Sequence, residues 1–409
     1  MSIDRANARP SHDPGDDAAA GTLTPADIVA AIERVVTPPV ALHTPEFAGN
    51  EWQYVKECLD TGWVSSTGSY VDRFERDLAA FVGTGFAIAC VNGTAALQIA
   101  LLLAGVQPGD EVILPPLTFV ATANAVAYAN AIPHFVDIEA STLGMDPVRL
   151  DAHLAEIVER RGDVAVNRRT GRRIAAVMPM HTFGHPVDLD LILEACRRHG
   201  IPLVEDAAES IGSYYKGGHT GNHGVVSGMS FNGNKIVTTG GGGAVLTSDP
   251  EIARHAKHLT TTAKVPHRWE YIHDELGFNY RLPNINAALG VAQLEQLDGF
   301  LADKRRLAER YAEAFADVPG VEFVREPEFA RSNYWLNAIL LDPEFAALRD
   351  PILEATNDAG LMTRPAWRLM HRLPMYADSP RTDLPVAESI EARLINIPSS
   401  ARLGRDDSR

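Results

Sequence analysis

Cysteine, long apolar runs and basic residues are all scarce in this chain, and each shortage excludes a class of protein. The three cysteines, Cys58, Cys90 and Cys196, lie far apart without metal-type spacing, so they are interpreted as reduced thiols. No apolar run approaches the roughly 18 residues that a membrane-spanning helix needs. The first residues lack a basic start followed by an apolar stretch, so no secretory signal is predicted. The sequence therefore predicts a cytoplasmic protein that does not enter a membrane.

Basic residues are outnumbered by acidic ones. With 37 Lys and Arg against 53 Asp and Glu, the formal net charge is −16, which argues against nucleic acid as a partner. A phosphorylated substrate stays possible, because a local basic pocket can lie inside an acidic protein. The chain of 409 residues with 45% apolar content is long enough for two domains and a large core.

Short apolar segments alternate with helical patterns from residue 86 onward. Strands are predicted at 86–91, 111–114, 132–137, 174–179, 201–205, 227–231 and 244–247, and helices at 94–104, 120–130, 146–160 and 188–199. This alternation predicts an α/β fold with a mainly parallel mixed sheet and helices on both faces.

The chain divides by composition and pattern into three parts. Residues 1–23 are predicted to be a mobile tail, because they are rich in Asp, Ala, Pro and Gly and lack periodicity. Residues 24–283 are predicted to hold N-terminal helices and a large domain. Residues 284–409 are predicted to hold a long bridging helix and a smaller C-terminal α+β domain.

The most informative segment surrounds Lys235. Residues 230–235 read Ser-Phe-Asn-Gly-Asn-Lys, and the strand-like run 201–204 upstream leads directly to Glu205 and Asp206. A lysine amine can form a Schiff base with an aldehyde cofactor, and a carboxylate can keep a pyridine nitrogen protonated. Alone, Lys235 would more often be a solvated surface charge and Asp206 a helix cap. Together they favour pyridoxal phosphate (PLP), provided that other segments complete the site.

One such segment is the first strand-to-helix junction, which contains Gly93, Thr94 and Ala95. Gly93 permits a tight turn, and the helix that follows offers unpaired amide donors and a positive dipole end. The hydroxyl groups of Thr94 and Ser230 can add to the same phosphate site. For this segment by itself, a plain turn capped by Thr94 is the alternative.

Two further side chains are candidates for the cofactor site, and two histidines raise the question of a metal. Phe119 stands where its ring can lie flat on the pyridine, with a core position as the alternative. Glu209 can approach the ring hydroxyl or the substrate amine, or can be a solvated helix residue.

His181 and His185 lack a third ligand at suitable spacing, so no metal site is predicted.

These segments together resemble the DegT/DnrJ/EryC1/StrS family of PLP-dependent nucleotide-sugar aminotransferases. The resemblance is carried by residues 93–96, 118–119, 205–209, 230–235 and 279–282. Within the family, the chain looks most like the branch that aminates UDP-4-keto-6-deoxy-N-acetylhexosamines on routes to bacillosamine and legionaminic acid. The features similar to that branch are the N-terminal helix, the loop 62–66, the segment 181–186 and the Asn-Gly-Asn-Lys form of the lysine motif.

The resemblance implies fold type I, like that of aspartate aminotransferase, and a homodimer with shared active sites. By this analogy the cofactor contacts are Lys235 at the aldehyde, Asp206 at the pyridine nitrogen, Phe119 on the ring, and Thr94 with Ser230 at the phosphate. Asn279 would reach the phosphate from the other subunit. Arg281, His371 and Tyr376 would lie near the substrate, although a satisfied polar residue on a loop is the alternative for His371.

The implied activity is transfer of an amino group from glutamate to C4 of a UDP-linked 4-keto-6-deoxy-N-acetylhexosamine, with the cofactor passing through pyridoxamine phosphate. The alternatives are a GDP-4-keto-6-deoxymannose aminotransferase of the perosamine type, a 3-keto sugar aminotransferase, a PLP-dependent sugar dehydratase and a non-catalytic PLP-binding regulator. Lys235 counts against the dehydratase, since such relatives carry histidine there. Intact Lys235, Asp206, Ser230 and Asn279 count against the regulator.

Overall fold

The computed structural model describes residues 23–405. The helices are α1 (Pro25–Glu33), α2 (Glu51–Thr61), α3 (Ser69–Val82), α4 (Gly93–Leu103), α5 (Val120–Tyr128), α6 (Pro147–Ile157), α7 (Leu189–His199), α8 (Pro250–Thr260), α9 (Asn284–Leu294), α10 (Leu297–Phe315), α11 (Arg349–Asp358) and α12 (Pro385–Glu391). The predicted tail lies outside the described residues except for Leu23, which is buried. Within residues 23–405, no helix is long and apolar enough to cross a membrane.

The strands pair into one large sheet, one smaller sheet and several short ribbons. They are β1 (Phe86–Cys90), β2 (Glu111–Leu114), β3 (Ile132–Phe135), β4 (Val158–Arg161), β5 (Val164–Asn167), β6 (Ile174–Val177), β7 (Val204–Asp206), β8 (Tyr214–Tyr215), β9 (Gly218–His219), β10 (Val226–Ser230), β11 (Gly243–Thr247), β12 (Lys264–Val265), β13 (Ile272–His273), β14 (Val321–Phe323), β15 (Ala330–Arg331), β16 (Asn337–Leu341), β17 (Arg364–Pro365) and β18 (Leu394–Ile397).

The large sheet has the order β3-β2-β6-β7-β10-β11-β1. Its two parts, β3-β2-β6 and β7-β10-β11-β1, meet through parallel bridges from Val177 to Leu203 and from Met180 to Asp206. The pairs β2–β3, β2–β6 and β7–β10 are parallel, whereas β11 runs antiparallel to both of its neighbours. The prediction of a mainly parallel mixed sheet is confirmed.

Helices cover both faces of this sheet. Val112 and Leu114 pack into the cluster that contains residues of α4 and α5, while Ile113 between them packs with α6 and α7. Successive strand residues point to opposite faces, so β2 must be apolar throughout its middle to be buried on both sides. This explains why the sheet strands were visible as continuous apolar runs.

The C-terminal part forms an antiparallel sheet in the order β14-β16-β18-β17. Its core also contains Ile28 and Ile32 of α1, which pack with α10 and α11. By packing, α1 therefore belongs with the C-terminal layer, although the sequence placed it with the large domain. The predicted bridging helix is two helices, α9 and α10, which are separated at residues 295–296.

Candidate active site

A cavity of about 270 Å³ lies at the carboxyl ends of β7 and β10, beside the first turns of α4 and α5. Ligands of open α/β sheets bind at this edge. Seven of the predicted residues line the cavity: Gly93, Thr94, Phe119, Asp206, Glu209, Ser230 and Lys235. The fold thus brings together side chains that stand far apart in the sequence.

Lys235 lies between a carboxylate and an indole ring. Its Nζ donates to Glu209 Oε1 at 3.1 Å and lies 3.6 Å from the centroid of the Trp335 ring. The indole N–H of Trp335 donates to the Asn234 carbonyl at 2.8 Å, which fixes the ring against the lysine loop. A cation over an aromatic face is attracted by the ring quadrupole, so Trp335 orients the amine as well as covering it.

Glu209 is buried rather than solvated, so the interpretation as a solvated helix residue is wrong. Its Oε2 accepts from the backbone N–H of Phe183 at 2.9 Å, which leaves Oε1 to Lys235. Burial raises the pKa of Glu209 to about 7, even though the charge of Lys235 opposes the shift. A carboxyl group with this pKa can exchange a proton near neutral pH.

Asp206 ends β7 and is almost completely buried. Its Oδ2 accepts from Thr122 Oγ1 at 2.7 Å, and its Oδ1 accepts from the backbone N–H of Ala208 at 3.0 Å. Burial raises the pKa of this carboxyl group, while the two hydrogen bonds and the nearby Lys235 charge oppose the rise. The side chain is therefore held in one orientation at the cavity wall.

The first turn of α4 forms the part of the cavity suited to a phosphate. A Cβ atom on Gly93 would lie 2.7 Å from Cβ of Ser230, so only glycine lets this turn approach the end of β10. Asn92 caps α4 by accepting from the backbone N–H of Ala95 at 2.8 Å. The predicted cofactor contact of Ala95 is therefore not supported, because its N–H is used in the cap. Gly93, Thr94 and Ser230 remain as lining residues.

Aromatic side chains form the opposite wall. The Phe119 ring is 50% exposed, so the alternative of a core position is wrong. Its centroid lies 6.1 Å from that of Trp367, which also lines the cavity. A phosphate-binding turn, an aromatic wall, a buried carboxylate and a lysine around one cavity fit a phosphorylated pyridine aldehyde.

Residues 45–409 match the DegT/DnrJ/EryC1/StrS aminotransferase family. The chain belongs to this family. It is 38% identical to the GDP-perosamine synthase of Caulobacter vibrioides, across 90% of this chain and 95% of that protein. It is 37% identical to the GDP-perosamine synthase of Vibrio cholerae, across 88% and 94%. The solved structure of the aminotransferase TlmJ from Streptoalloteichus hindustanus matches with a TM-score of 0.80 at 30% identity, across 90% of this chain and 95% of that one.

The protein is therefore a PLP-dependent nucleotide-sugar aminotransferase of fold type I, as the resemblance implied. The UDP-sugar branch is not confirmed. The names of these two relatives favour the perosamine-type alternative instead.

Two predicted residues of the aminotransferase lie outside the cavity of their own chain, near the end of α8. Asn279 is exposed and pairs through its backbone with Thr261. Arg281 pairs through its backbone with Cys90 and lines a separate cleft beside Lys257. Neither contacts Lys235 within one chain, so their predicted roles depend on a second subunit.

His371 and Tyr376 do not line the cavity either. The His371 Nε2 lies 3.4 Å from the Glu388 carboxylate, whereas its buried Nδ1 has no hydrogen-bond partner among the described residues, so the alternative of a satisfied polar residue holds for one ring nitrogen only. Tyr376 is buried and its hydroxyl donates to Asn124. Within one chain, the structure does not support the substrate contacts predicted for these two residues.

His181 and His185 are buried in the aminotransferase. His181 Nε2 lies 3.1 Å from Glu205 Oε2, and the His185 ring packs edge-on against Tyr334. Within residues 23–405, the side chains close enough together to share a metal ion are those of His258, Asp274 and Glu275. This group includes neither His181 nor His185. The prediction that the enzyme needs no metal stays a prediction.

Proposed function

We propose that this aminotransferase moves the amino group of glutamate to C4 of GDP-4-keto-6-deoxymannose and so forms GDP-perosamine. The observation that carries the proposal is 36–38% identity to three GDP-perosamine synthases, across 88–90% of this chain, combined with the complete lysine and carboxylate cavity. The UDP-linked 4-keto-6-deoxy-N-acetylhexosamine becomes the second candidate. Neither Trp63 nor any residue of 181–186, which suggested it, lines the cavity.

PLP supplies an electron-withdrawing ring that accepts the negative charge left when a proton departs next to the reacting amine. Asp206 would hold it at the ring nitrogen, because an anionic neighbour raises the pKa of that nitrogen. Thr94 and Ser230 would hold its phosphate at the first turn of α4. Phe119 would cover the ring, and Lys235 would bind its aldehyde carbon.

Lys235 also moves the proton. To accept the α proton of the donor, its Nζ must be neutral. Glu209 Oε1 lies 3.1 Å away, and a carboxyl group with a pKa of about 7 can exchange a proton near neutral pH. Trp335 holds the amine in place and excludes water from one side of it.

Substrate choice should appear in a side-by-side assay with glutamate as the donor. We expect kcat/KM for GDP-4-keto-6-deoxymannose to exceed that for the UDP-linked N-acetylhexosamine by about a hundredfold or more. A site that pairs with one base and sugar leaves buried polar groups unpaired with the other, at a cost of about 1–3 kcal/mol for each group. Equal values, or a preference for the UDP sugar, would reassign the substrate to the second candidate. Reactions without glutamate give the background.

We further propose that the active site is shared between two subunits. Asn279 is exposed and does not line the cavity of its own chain, which is consistent with a contact to the cavity of a partner. Mixing inactive Lys235→Ala and Asn279→Ala subunits should restore about a quarter of wild-type activity, since about half of the dimers are hybrids with one intact site. Differently tagged subunits allow hybrid dimers to be purified. Purified hybrids without activity would show that Asn279 acts within its own chain.

A further inference from the structure

A second group of buried titratable side chains lies outside the cofactor cavity. Glu111 of β2, His134 of β3 and His153 of α6 form a hydrogen-bonded relay. His134 Nδ1 lies 2.9 Å from Glu111 Oε2, and His134 Nε2 lies 2.8 Å from His153 Nε2. The three residues are 0%, 2% and 6% exposed, and none of them lines the cofactor cavity. Transamination therefore makes no use of the relay.

The carboxylate end of the relay is held ionised. Glu111 accepts from Asn167 Nδ2 at 2.8 Å and from Thr170 Oγ1 at 2.6 Å, and Arg172 Nη1 lies 3.7 Å away. Burial by itself would raise the pKa of Glu111, but the hydrogen bonds from His134, Thr170 and Asn167 lower it overall. An ionised carboxylate only accepts hydrogen bonds, so His134 Nδ1 must carry a proton.

Because Glu111 fixes the proton on His134 Nδ1, it also determines which nitrogen of His153 carries a proton. In the neutral relay, His134 Nε2 accepts from His153 Nε2, and the lone pair of His153 Nδ1 is left outward. One added proton turns His153 Nδ1 into a donor. The central hydrogen bond can then reverse, so that the positive charge moves onto His134 beside Glu111. The relay can thus store one proton away from solvent.

His153 lines a cleft of about 390 Å³ between α6, the turn after β5 and the segment 381–383. The charged groups that line this His153 cleft are Arg149, Arg169, Arg381, Glu156 and Asp383. Arg169 pairs with Glu156, and Arg149 lies 3.4 Å from Asp137. Within residues 23–405, the Arg381 guanidinium bonds only backbone carbonyls, including that of Ala377 at 2.8 Å. Among the described residues, no carboxylate lies within ion-pair distance of Arg381, although Asp383 lines the same cleft.

We propose that the His153 cleft binds a small oxyanion, a carboxylate or a phosphate group, and that the relay takes up one proton as the anion binds. Arg381 supplies the positive charge, and protonated His153 Nδ1 supplies a donor. In the free protein, burial above all lowers the pKa of His153 to about 4, so near neutral pH the lone pair faces the cleft. An anion stabilises the protonated form and raises this pKa. Affinity must then fall as pH rises.

Isothermal titration calorimetry on the full-length, PLP-loaded protein tests this proposal, with sulfate and succinate as separate probes. Sulfate keeps its charge near neutral pH, and the bound cofactor fills its own phosphate site. Because the protein takes its proton from the buffer, we expect the measured heat of binding to change with the ionisation enthalpy of the buffer. We also expect the binding affinity to fall by up to about tenfold for each unit of rising pH. Binding of sulfate alone would indicate a phosphate ligand, and binding of succinate alone would indicate a carboxylate ligand.

Variants separate the His153 cleft from other anion sites. Arg381→Gln should weaken binding by about tenfold or more, while Arg197→Gln on α7, outside the cleft, should leave it unchanged. His153→Gln keeps an amide donor and should bind without proton uptake. Binding of neither probe, equal binding by Arg381→Gln and wild type, or wild-type binding without proton uptake would each overturn the proposal.

Histidine nitrogen NMR tests the relay without a substitution. His134 Nδ1 should be protonated in the free protein, whereas His153 Nδ1 should gain its proton only when the anion is added. A proton on His153 Nδ1 at neutral pH before the addition would contradict the proposed uptake.

Discussion

We expect the replacement of Lys235 with alanine to abolish transamination and covalent cofactor attachment, while the fold survives. Loss of a positioned general base alone costs about 10²- to 10⁴-fold, and loss of the attachment adds to this. The fold tolerates the change because the described contacts of the amine are with Glu209 and the Trp335 ring. Once its cation is gone, Glu209 can become neutral, since burial already raises its pKa to about 7.

Borohydride reduction followed by peptide mapping checks the attachment. Wild-type protein should carry the label on Lys235, and the variant should carry none. Lys216→Ala is a suitable control, because Lys216 is exposed and pairs with Asp190 on the surface. A label on Lys216, Lys257 or Lys264 would refute the assignment.

Replacing Asp206 with asparagine should leave PLP bound and lower kcat by about a hundredfold or more. The asparagine amide has the shape of the carboxylate: its oxygen can accept from the backbone N–H of Ala208, and its NH2 group can donate to the Thr122 hydroxyl, which turns to accept. It carries no negative charge, so it no longer favours a protonated ring nitrogen. The loss should therefore fall on turnover rather than on cofactor affinity.

Steady-state kinetics and an absorbance titration of the bound cofactor measure these two effects separately. Asp190→Asn, at an exposed position, is the matched control. Near-normal turnover in the Asp206 variant would mean that another group protonates the ring. Loss of bound PLP would mean that Asp206 acts mainly in binding.

The sequence predicted those parts of the site that depend on local signals. Gly93, Asp206, Ser230 and Lys235 stand at or just after strand ends, and apolar runs reveal strands that are buried on both faces. The pattern of apolar residues within each helix is likewise local, which explains why most predicted helices begin and end within a few residues of the observed bounds.

What the sequence missed depends on contacts between distant segments. Thr122 bonds Asp206 from 84 residues away, and Trp335 bonds the Asn234 carbonyl from 101 residues away. The break between α9 and α10 also involves a distant residue, because Gln296 Nε2 at the break donates to Glu51 Oε1. A threonine or tryptophan in isolation carries no signal of such a partner. Thr122 alone had a usable local cue, because it lies one helical turn after Thr118 and bonds it.

The packing of α1 has a consequence for synthesis on the ribosome. Ile28 and Ile32 are translated long before their partners, which include Leu307, Ile352 and Ile395. Until those residues emerge, the nascent chain carries an amphipathic helix whose apolar face has no cover, a surface that chaperones recognise and that favours aggregation. Trp335 also emerges well after Lys235, so the pocket around Lys235 is completed, and the vitamin B6 cofactor enclosed, only once this distant part of the chain has been made.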